Sequence, residues 1–337
     1  MILGENINSV YSKGKEIQRV YSRGKLVWEK NVIDYNTTPF TVKAIDDKVN
    51  VSVYGNGSDP RIYYRYSING GDWKQKYGEI TINKNDTISI TASKAYDVNI
   101  EGLSDVYGNV MSLIHGSDFI GKYSWYIYSQ MYFGLFSHCD IRSAENLILP
   151  SILDGEYCCN EMFAYCEHLT IAPKILPATT LTKGCYAAMF FGCSSLISPP
   201  ELPATVLAYD CYRQMFESCD SLIKAPELPA TTLAQRCYYK MFESCDSLIK
   251  APELPATTLI NQCYQYMFCN CSLLNYIKCY AMNKDSDDRN AAAYMGNWAK
   301  DVSETGTFMY CRDSFIDVEI SNEIDVVPEG WSLEYID

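Results

Sequence analysis

Between Asn31 and about Gly121, apolar and polar residues alternate in short runs that are separated by turn signals. The runs are TPFTVKAI, NVSVYG, RIYYRYSI, EITI and TISITA, and turns such as Asn69-Gly70-Gly71 lie between them. Alternation with a period of two predicts strands that bury one face. We therefore expect residues 31–121 to form a small antiparallel β domain of the sandwich type.

Further along the chain, one block of sequence recurs. MFESCDSLIKAPELPATTL occupies Met215–Leu233 and returns unchanged at Met241–Leu259, 26 residues later. A Met-Phe pair begins at residues 162, 189, 215, 241 and 267, and a cysteine follows each Met by four residues; Leu135-Phe136 with Cys139 is a degenerate copy. A fixed period of this length indicates repeats that stack on one another.

Within one copy, TTLAQRCYYKMFESC places Leu233, Cys237, Met241 and Cys245 at steps of four, which predicts one apolar face of a helix. SLIKAPELPA follows as a brief extended segment, in which Pro226 or its equivalents Pro200 and Pro252 limit the width of any ladder. The expected fold class is α+β and multidomain, with a curved solenoid of helix-plus-strand units of period 26–27 after the β domain.

The recurring CYxxMFxxCxSLxxAPELPATTL resembles the BspA-like class of leucine-rich repeats over a little under half of the chain. The resemblance implies a solenoid that binds ligands along its surface. The strand segment departs from the family by an additional proline and one more residue, and the first two intervals are 27 residues rather than 26. We assign residues 122–283 to the solenoid with its N-terminal cap.

The end of the chain, residues 284–337, is expected to cap the last repeat. Trp298, Phe308 and Trp331 are the large apolar side chains available to cover it.

The first thirty residues contain a shorter repeat, INSVYSKGKEI followed by IQRVYSRGKLVW. Two short strands joined through Lys-Gly turns form a ribbon that is too small to be stable alone, so it must dock on its own β domain or on a partner. The segment VYSKGKEIQRVYSRGKLVW is similar to N-terminal segments of phage tail and virion-associated proteins. The implied assembly-anchor residues are Val10, Tyr11, Val20, Tyr21, Val27 and Trp28.

The order of ribbon, β domain, repeats and Trp-containing end is similar to proteins encoded by gut Bacteroidales and by their phages, including crAss-like phages. No apolar run of signal-peptide length begins the sequence, which favours the phage interpretation: a virion protein that assembles in the host cytoplasm. The alternative is an adhesin on the bacterial cell surface.

Charge and cysteine content narrow the choice of partners. The net charge of −13 disfavours nucleic acid and anionic membrane surfaces, and no segment approaches the ~20 apolar residues of a membrane span. Fifteen cysteines, an odd number, predict free thiols rather than a disulfide framework.

Signs of catalytic or metal chemistry are weak. His138-Cys139 and Cys166-His168 lack the spacing of a four-ligand zinc site, and Cys139 and Cys166 occupy the repeating core position. Glu201, Glu227 and Glu253 recur in register, as any repeated residue does. We expect no enzyme, no cofactor and no metal site, with a glycan-processing enzyme as the weakest alternative.

The candidate binding residues follow from comparing the copies. The helix positions off the apolar face vary, as in TKG, AYD, AQR and INQ before the cysteine. The strand side stays nearly constant, as ISPPE, IKAPE and IKAPE, which suits a repetitive ligand but also follows from recent duplication alone. The interpretation is a phage virion structural protein, tail-associated or part of a head or tail fibre. It would be oligomeric within its assembly, anchored to other virion proteins through residues 1–30, and would bind a bacterial surface polysaccharide or outer-membrane protein. Candidate contacts are Lys224, Glu227, Lys250 and Glu253 on the strand side and Arg213, Arg236 and Tyr239 on the helical side.

Overall fold

The computed structural model describes most of the chain. Residues 34–55, 62–93, 95–121, 130, 132–282, 294–312 and 326–336 are described in full, and residues 10–12, 15–17, 19–22, 25–29 and 124–125 as backbone. Among these residues, no helix is both long and apolar enough to cross a membrane.

Each half of the N-terminal repeat forms its own antiparallel hairpin. The strands are β1 (Val10–Ser12), β2 (Lys15–Ile17), β3 (Arg19–Ser22) and β4 (Lys25–Glu29). β1 pairs with β2 and β3 with β4, so the segment is two hairpins rather than one two-stranded ribbon. The side chains of the predicted anchor residues, Val10, Tyr11, Val20, Tyr21, Val27 and Trp28, lie outside what the structure describes.

The alternating segments between residues 40 and 109 form the expected antiparallel strands. They are β5 (Phe40–Ala44), β6 (Lys48–Tyr54), β7 (Tyr63–Ile68), β8 (Lys74–Tyr77), β9 (Ile80–Asn83), β10 (Thr87–Thr91), β11 (Asp97–Glu101) and β12 (Ser104–Asn109), followed by the short helix α1 (Ser112–His115) and a 3-10 turn, Gly116–Asp118. β11, β6 and β9 form a three-stranded sheet, and β12, β5, β10, β7 and β8 belong to a six-stranded one. Alternate residues of these strands, such as Ile80 and Ile82, fill the core.

The remaining strands lie in the repeat region and beyond it. They are β13 (Ser124–Trp125), β14 (Ile141–Ile148), β15 (Ile152–Leu153), β16 (Lys250–Leu254), β17 (Tyr276–Cys279), β18 (Thr307–Cys311) and β19 (Ser332–Ile336). β14 completes the six-stranded sheet by pairing in parallel with β12, so the first repeat copy is joined directly to the β domain. β16 to β19 form a four-stranded parallel sheet.

The prediction of an α+β fold with a helix-plus-strand solenoid is wrong. Residues 132–282, which the structure describes without a gap, contain no α-helix, and the described chain is built mainly of strands and turns. The segment predicted as helix is a run of four-residue turns instead. Met241 donates its N–H to Tyr238 O at 3.1 Å within the copy, whereas Phe242 donates to Met267 O at 2.9 Å in the next copy.

The period of the turns explains the error. In each turn two consecutive side chains point inward and two point outward: Cys237-Tyr238 and Met241-Phe242 are buried, and Tyr239-Lys240 between them is only partly buried. A period of four is close to the 3.6 of a helix, so both give the same pattern over fifteen residues. Every fourth residue, such as Arg236 and Lys240, has a positive φ, which a helix does not contain.

The copies stack through ladders of identical side chains. The rings of consecutive Phe residues lie 5.3 to 5.7 Å apart, and those of the Tyr residues 6.0 to 6.1 Å apart; the ladders are Phe136, Phe163, Phe190, Phe216, Phe242 and Phe268, and Tyr186, Tyr212, Tyr238 and Tyr264. All these rings are buried. We call this body, residues 132–282, the repeat stack.

Both ends of the repeat stack are covered. At its start, Phe40 of the β domain stacks on Phe136 at 5.2 Å. At its end, Phe268 donates to Trp298 O, so residues 294–300 continue the turn pattern with Trp298 in the place of Met. Trp298 is fully buried between Tyr264 and Phe308, and its Nε1 donates to Val326 O at 2.6 Å. The stretch expected as a cap therefore begins with one more unit of the stack.

Candidate functional site

The predicted binding residues occupy two separate surfaces of the repeat stack. Arg213, Arg236 and Tyr239 lie on the outward positions of the turns, on what we call the turn face. Lys224, Glu227, Lys250 and Glu253 are exposed in the extended segments, on what we call the strand face. They form two groups rather than one site.

On the turn face, the cationic side chains lie beside acidic ones. Arg236 Nε lies 3.0 Å and Arg213 Nε 3.9 Å from Oδ1 of Asp210, which is 8% exposed. Neither contact has the direction of a hydrogen bond, so they are ion pairs by proximity. The Arg236 guanidinium also lies 4.6 Å from the Tyr239 ring centroid, a cation–π distance.

The next turn repeats this arrangement. Lys240 Nζ lies 2.7 Å from Glu243 Oε2 and 5.3 Å from the centroid of the Tyr266 ring. Because Arg236 and Lys240 each have an acid and an aromatic ring beside them, the turn face offers few unpaired cations to a ligand.

On the strand face, adjacent copies are joined by single parallel bridges. Ser143 pairs with Ile171, Ile171 with Ser198, and Lys224 with Lys250; the column continues into β16 and β17, where Lys250 pairs with Tyr276. Within residues 132–282, one step of this column is missing: no bridge joins Ser198 to Lys224.

Pro199 accounts for the missing bridge. At the equivalent position of the preceding copies, Ala144 donates its N–H to Ile171 O at 2.9 Å and Ala172 donates to Ser198 O at 3.0 Å. Pro199 has no N–H to donate to Lys224 O. The ladder of backbone contacts between the two copies therefore has a gap at this point.

A groove of about 670 Å³ occupies the gap. One wall is Ile197–Pro203 and the other is formed by Lys224–Glu227 with Pro229. We call it the strand-face groove. Ser198 occupies the position of Lys224 and Lys250 in the following two copies, and its shorter side chain leaves the groove open.

The groove contains charged side chains without an ion-pair partner among the described residues. Glu201, Glu227 and Lys224 are exposed along its walls. Outside the groove, the same strand face pairs its charges: Lys278 Nζ lies 3.1 Å from Glu253 Oε1, and Lys250 Nζ lies 4.4 Å from the Tyr276 centroid. Of the predicted strand-side residues, only Lys224 and Glu227 are therefore in a cavity with their charges available.

An exposed aliphatic stripe begins in the groove wall and continues along the strand face. Ile197, Ile223 and Ile249 recur 26 residues apart and are 53%, 53% and 46% exposed. Neither this stripe nor Pro199 and Ser198 is predicted from the sequence. The difference between ISPPE at residues 197–201 and IKAPE at residues 223–227 could have indicated the groove. A second proline, at a position that bonds to the next copy, removes a hydrogen-bond donor.

The cysteines of the repeat stack are core residues. All fifteen cysteines lie in the described part of the chain and are free, and only Cys311 is more than slightly exposed. Burial raises the pKa of repeat thiols such as Cys219 and Cys245 well above the ordinary value, so these thiols stay protonated. No group of three or more His, Cys, Asp or Glu in the described ranges is arranged to hold a metal ion.

Comparisons with protein-family models, curated proteins and solved structures give no match to this chain.

Proposed function

We propose that the protein is an attachment protein whose strand-face groove binds a polysaccharide on a bacterial surface. The observation that carries this proposal is the groove itself: it opens where Pro199 interrupts the bridges between copies, and it contains Lys224, Glu201 and Glu227 without an ion-pair partner among the described residues. The turn face, where the cations are paired, is the poorer candidate.

The periodicity of the strand face favours a repetitive ligand over a single folded receptor. Ile197, Ile223 and Ile249 repeat along the stack, so successive units of one polymer would meet equivalent surfaces. Oxidation of cell-surface glycans with periodate distinguishes a polysaccharide ligand from an outer-membrane protein receptor.

We further propose that the protein acts as a structural component of a phage virion, tail-associated or in a head or tail fibre. Support comes from the resemblance of the N-terminal segment to virion-associated proteins and from its short hairpins, β1–β2 and β3–β4, which are too small to be stable alone. In this proposal the hairpins dock on other virion proteins and the repeat stack faces the host. The Met-Phe-Cys repeats would then be a BspA-like module adapted to adhesion.

The test compares the full chain with a version lacking residues 1–30. Both are measured for incorporation into phage particles and for binding to a panel of gut Bacteroidales strains, and their melting temperatures confirm that the remainder stays folded. We expect the deletion to abolish incorporation while cell binding persists.

Two results would overturn parts of the proposal. Cell binding by neither version would exclude attachment. Absence of the full chain from particles, together with its presence on a bacterial surface, would replace the virion role with that of a bacterial adhesin.

A further inference from the structure

We infer that the strand-face groove selects uncharged, hydroxyl-rich glycan chains and rejects acidic ones. This inference rests on the proposed attachment function and specifies the chemistry of its ligand.

The first argument is the balance of hydrogen-bond donors and acceptors in the groove. Five lining residues are prolines and have no backbone N–H; they are Pro199, Pro200, Pro203, Pro226 and Pro229. The Glu201 and Glu227 carboxylates are acceptors only, and among the lining side chains only Ser198 and Lys224 donate. A ligand that satisfies this lining must supply donors in excess, as the hydroxyl groups of a sugar do.

The second argument is charge. Two carboxylates, Glu201 and Glu227, and one ammonium group, Lys224, line the groove, and the whole chain carries a net charge of −13. A carboxylate or sulfate on the ligand would meet like charges both at the groove and at long range. An uncharged chain avoids this repulsion and can still donate to both carboxylates in charge-assisted hydrogen bonds.

The third argument is the apolar part of the lining. The proline rings and the half-exposed Ile197 present C–H surface between the polar groups. The faces of sugar rings combine C–H surface with hydroxyl groups at their edges, so a glycan chain can pack on the prolines while its hydroxyls reach Glu201 and Glu227. A mostly apolar cavity with a few placed polar groups is typical of ligand sites.

The experiment uses surface polysaccharide from a strain to which the full chain binds. Anion exchange separates it into an unretained neutral fraction and a retained acidic fraction, and calorimetry measures binding of the full chain to each. We expect binding to the neutral fraction, and we expect Glu201→Gln and Glu227→Gln each to weaken it roughly 10-fold, the effect of one charged hydrogen bond.

Glu167→Gln is the matched control. Glu167 is exposed and outside the groove, and its substitution removes the same single charge. We expect its affinity for the neutral fraction to be unchanged.

Three results would overturn the inference and leave the attachment function standing. They are binding to the acidic fraction in preference to the neutral one, equal effects of all three variants, and full binding to cells whose glycans have been oxidised with periodate. The last result would identify a protein receptor. Failure to bind any strain would instead overturn the attachment function itself.

Discussion

Cys193 donates its thiol hydrogen to the carbonyl oxygen of Phe163, 3.1 Å away in the preceding copy of the repeat. The same contact recurs between Cys166 and Phe136, Cys219 and Phe190, Cys245 and Phe216, and Cys271 and Phe242, at 3.0 to 3.2 Å. Cysteine suits this position because it is small and apolar and still carries one weak donor. The recurrence of cysteine at this position is thus explained by stacking.

The first prediction concerns this ladder. Cys219→Ala removes the S–H···O contact to Phe190 and leaves a small void in the core, so we expect the free energy of unfolding to fall by about 1–2 kcal/mol. Urea titration followed by circular dichroism measures the loss. Cys311→Ala is the control, because Cys311 is partly exposed and its sulfur lies 3.6 Å from Tyr280 O. Equal losses in the two variants would contradict a role for the ladder.

The second prediction concerns the turns. Ser218 has a φ of 60°, where the equivalent residue of the preceding copy is Gly192 with a φ of 70°. Ser218→Gly should raise stability by about 1 kcal/mol, because a left-handed conformation costs a residue with a Cβ roughly that much.

Ser221→Gly is the matched control for that substitution. Ser221 is three residues further on and does not have a positive φ, so glycine there only adds freedom to the unfolded chain. We expect a lower melting temperature for Ser221→Gly and a higher one for Ser218→Gly. The same sign for both would show that the turn conformation is not the one described.

The third prediction concerns pH. Burial raises the pKa of the Glu217 carboxyl, and the nearby Glu243 raises it further. A raised pKa in the folded state means that the ionised form costs stability at pH values above that pKa, and that this cost disappears as the pH falls below the ordinary glutamate value of about 4.3. Glu217→Gln should therefore raise the melting temperature at pH 7, with a gain that shrinks towards pH 4.

Thermal melts of both chains between pH 4 and pH 8 test this dependence. Gln214 Nε2 donates to Glu217 Oε2 at 2.8 Å, and a glutamine carbonyl at position 217 can accept the same bond. A gain that grows as the pH falls would contradict the sign. The exposed Glu167→Gln variant should show no comparable gain.

The fourth prediction concerns the origin of the groove. Pro199→Ala restores a backbone N–H at the position where Ala172 donates to Ser198 O in the preceding copy. We expect the new N–H to bridge to Lys224, to close the groove and to reduce affinity for the neutral glycan fraction by roughly 10-fold or more, without loss of thermal stability.

Pro252→Ala is the control for this substitution, because Pro252 lies in β16 and outside the groove. We expect Pro252→Ala to bind the neutral glycan fraction with the affinity of the unsubstituted chain. Unchanged affinity in Pro199→Ala would show that the missing bridge does not create the binding surface.

Several features could be predicted from the sequence because they depend on local pattern. Alternation with a period of two gave the strands of the β domain, such as β9 and β10. The register of the repeat predicted which side chains face the core, because Met215, Phe216 and Cys219 recur at fixed spacing and all are buried. The prolines limited the ladder between copies to single bridges over much of the strand face.

The candidate site could be predicted only in part. Lys224 and Glu227 were selected and line the groove, whereas Lys250 and Glu253 already have partners on the same face. Partners that lie one copy away, such as Tyr276 for Lys250, cannot be identified until the stacking is known. Arg213 and Arg236 share Asp210 as a partner, and for Arg236 this contact spans two copies, so it could not be read from one copy of the repeat.

The sequence by itself determined the period of the repeat, the identity of its buried residues and the place where one copy departs from the others, because these are properties of residue type and spacing. The tertiary structure decided how the backbone satisfies its hydrogen bonds. In a helix the N–H groups beyond the first turn find their acceptors within the segment. Here alternate N–H groups, such as those of Met241 and Phe242, use acceptors in their own copy and in the next. A period of four cannot distinguish these two solutions, and only the presence of a neighbouring copy makes the second possible.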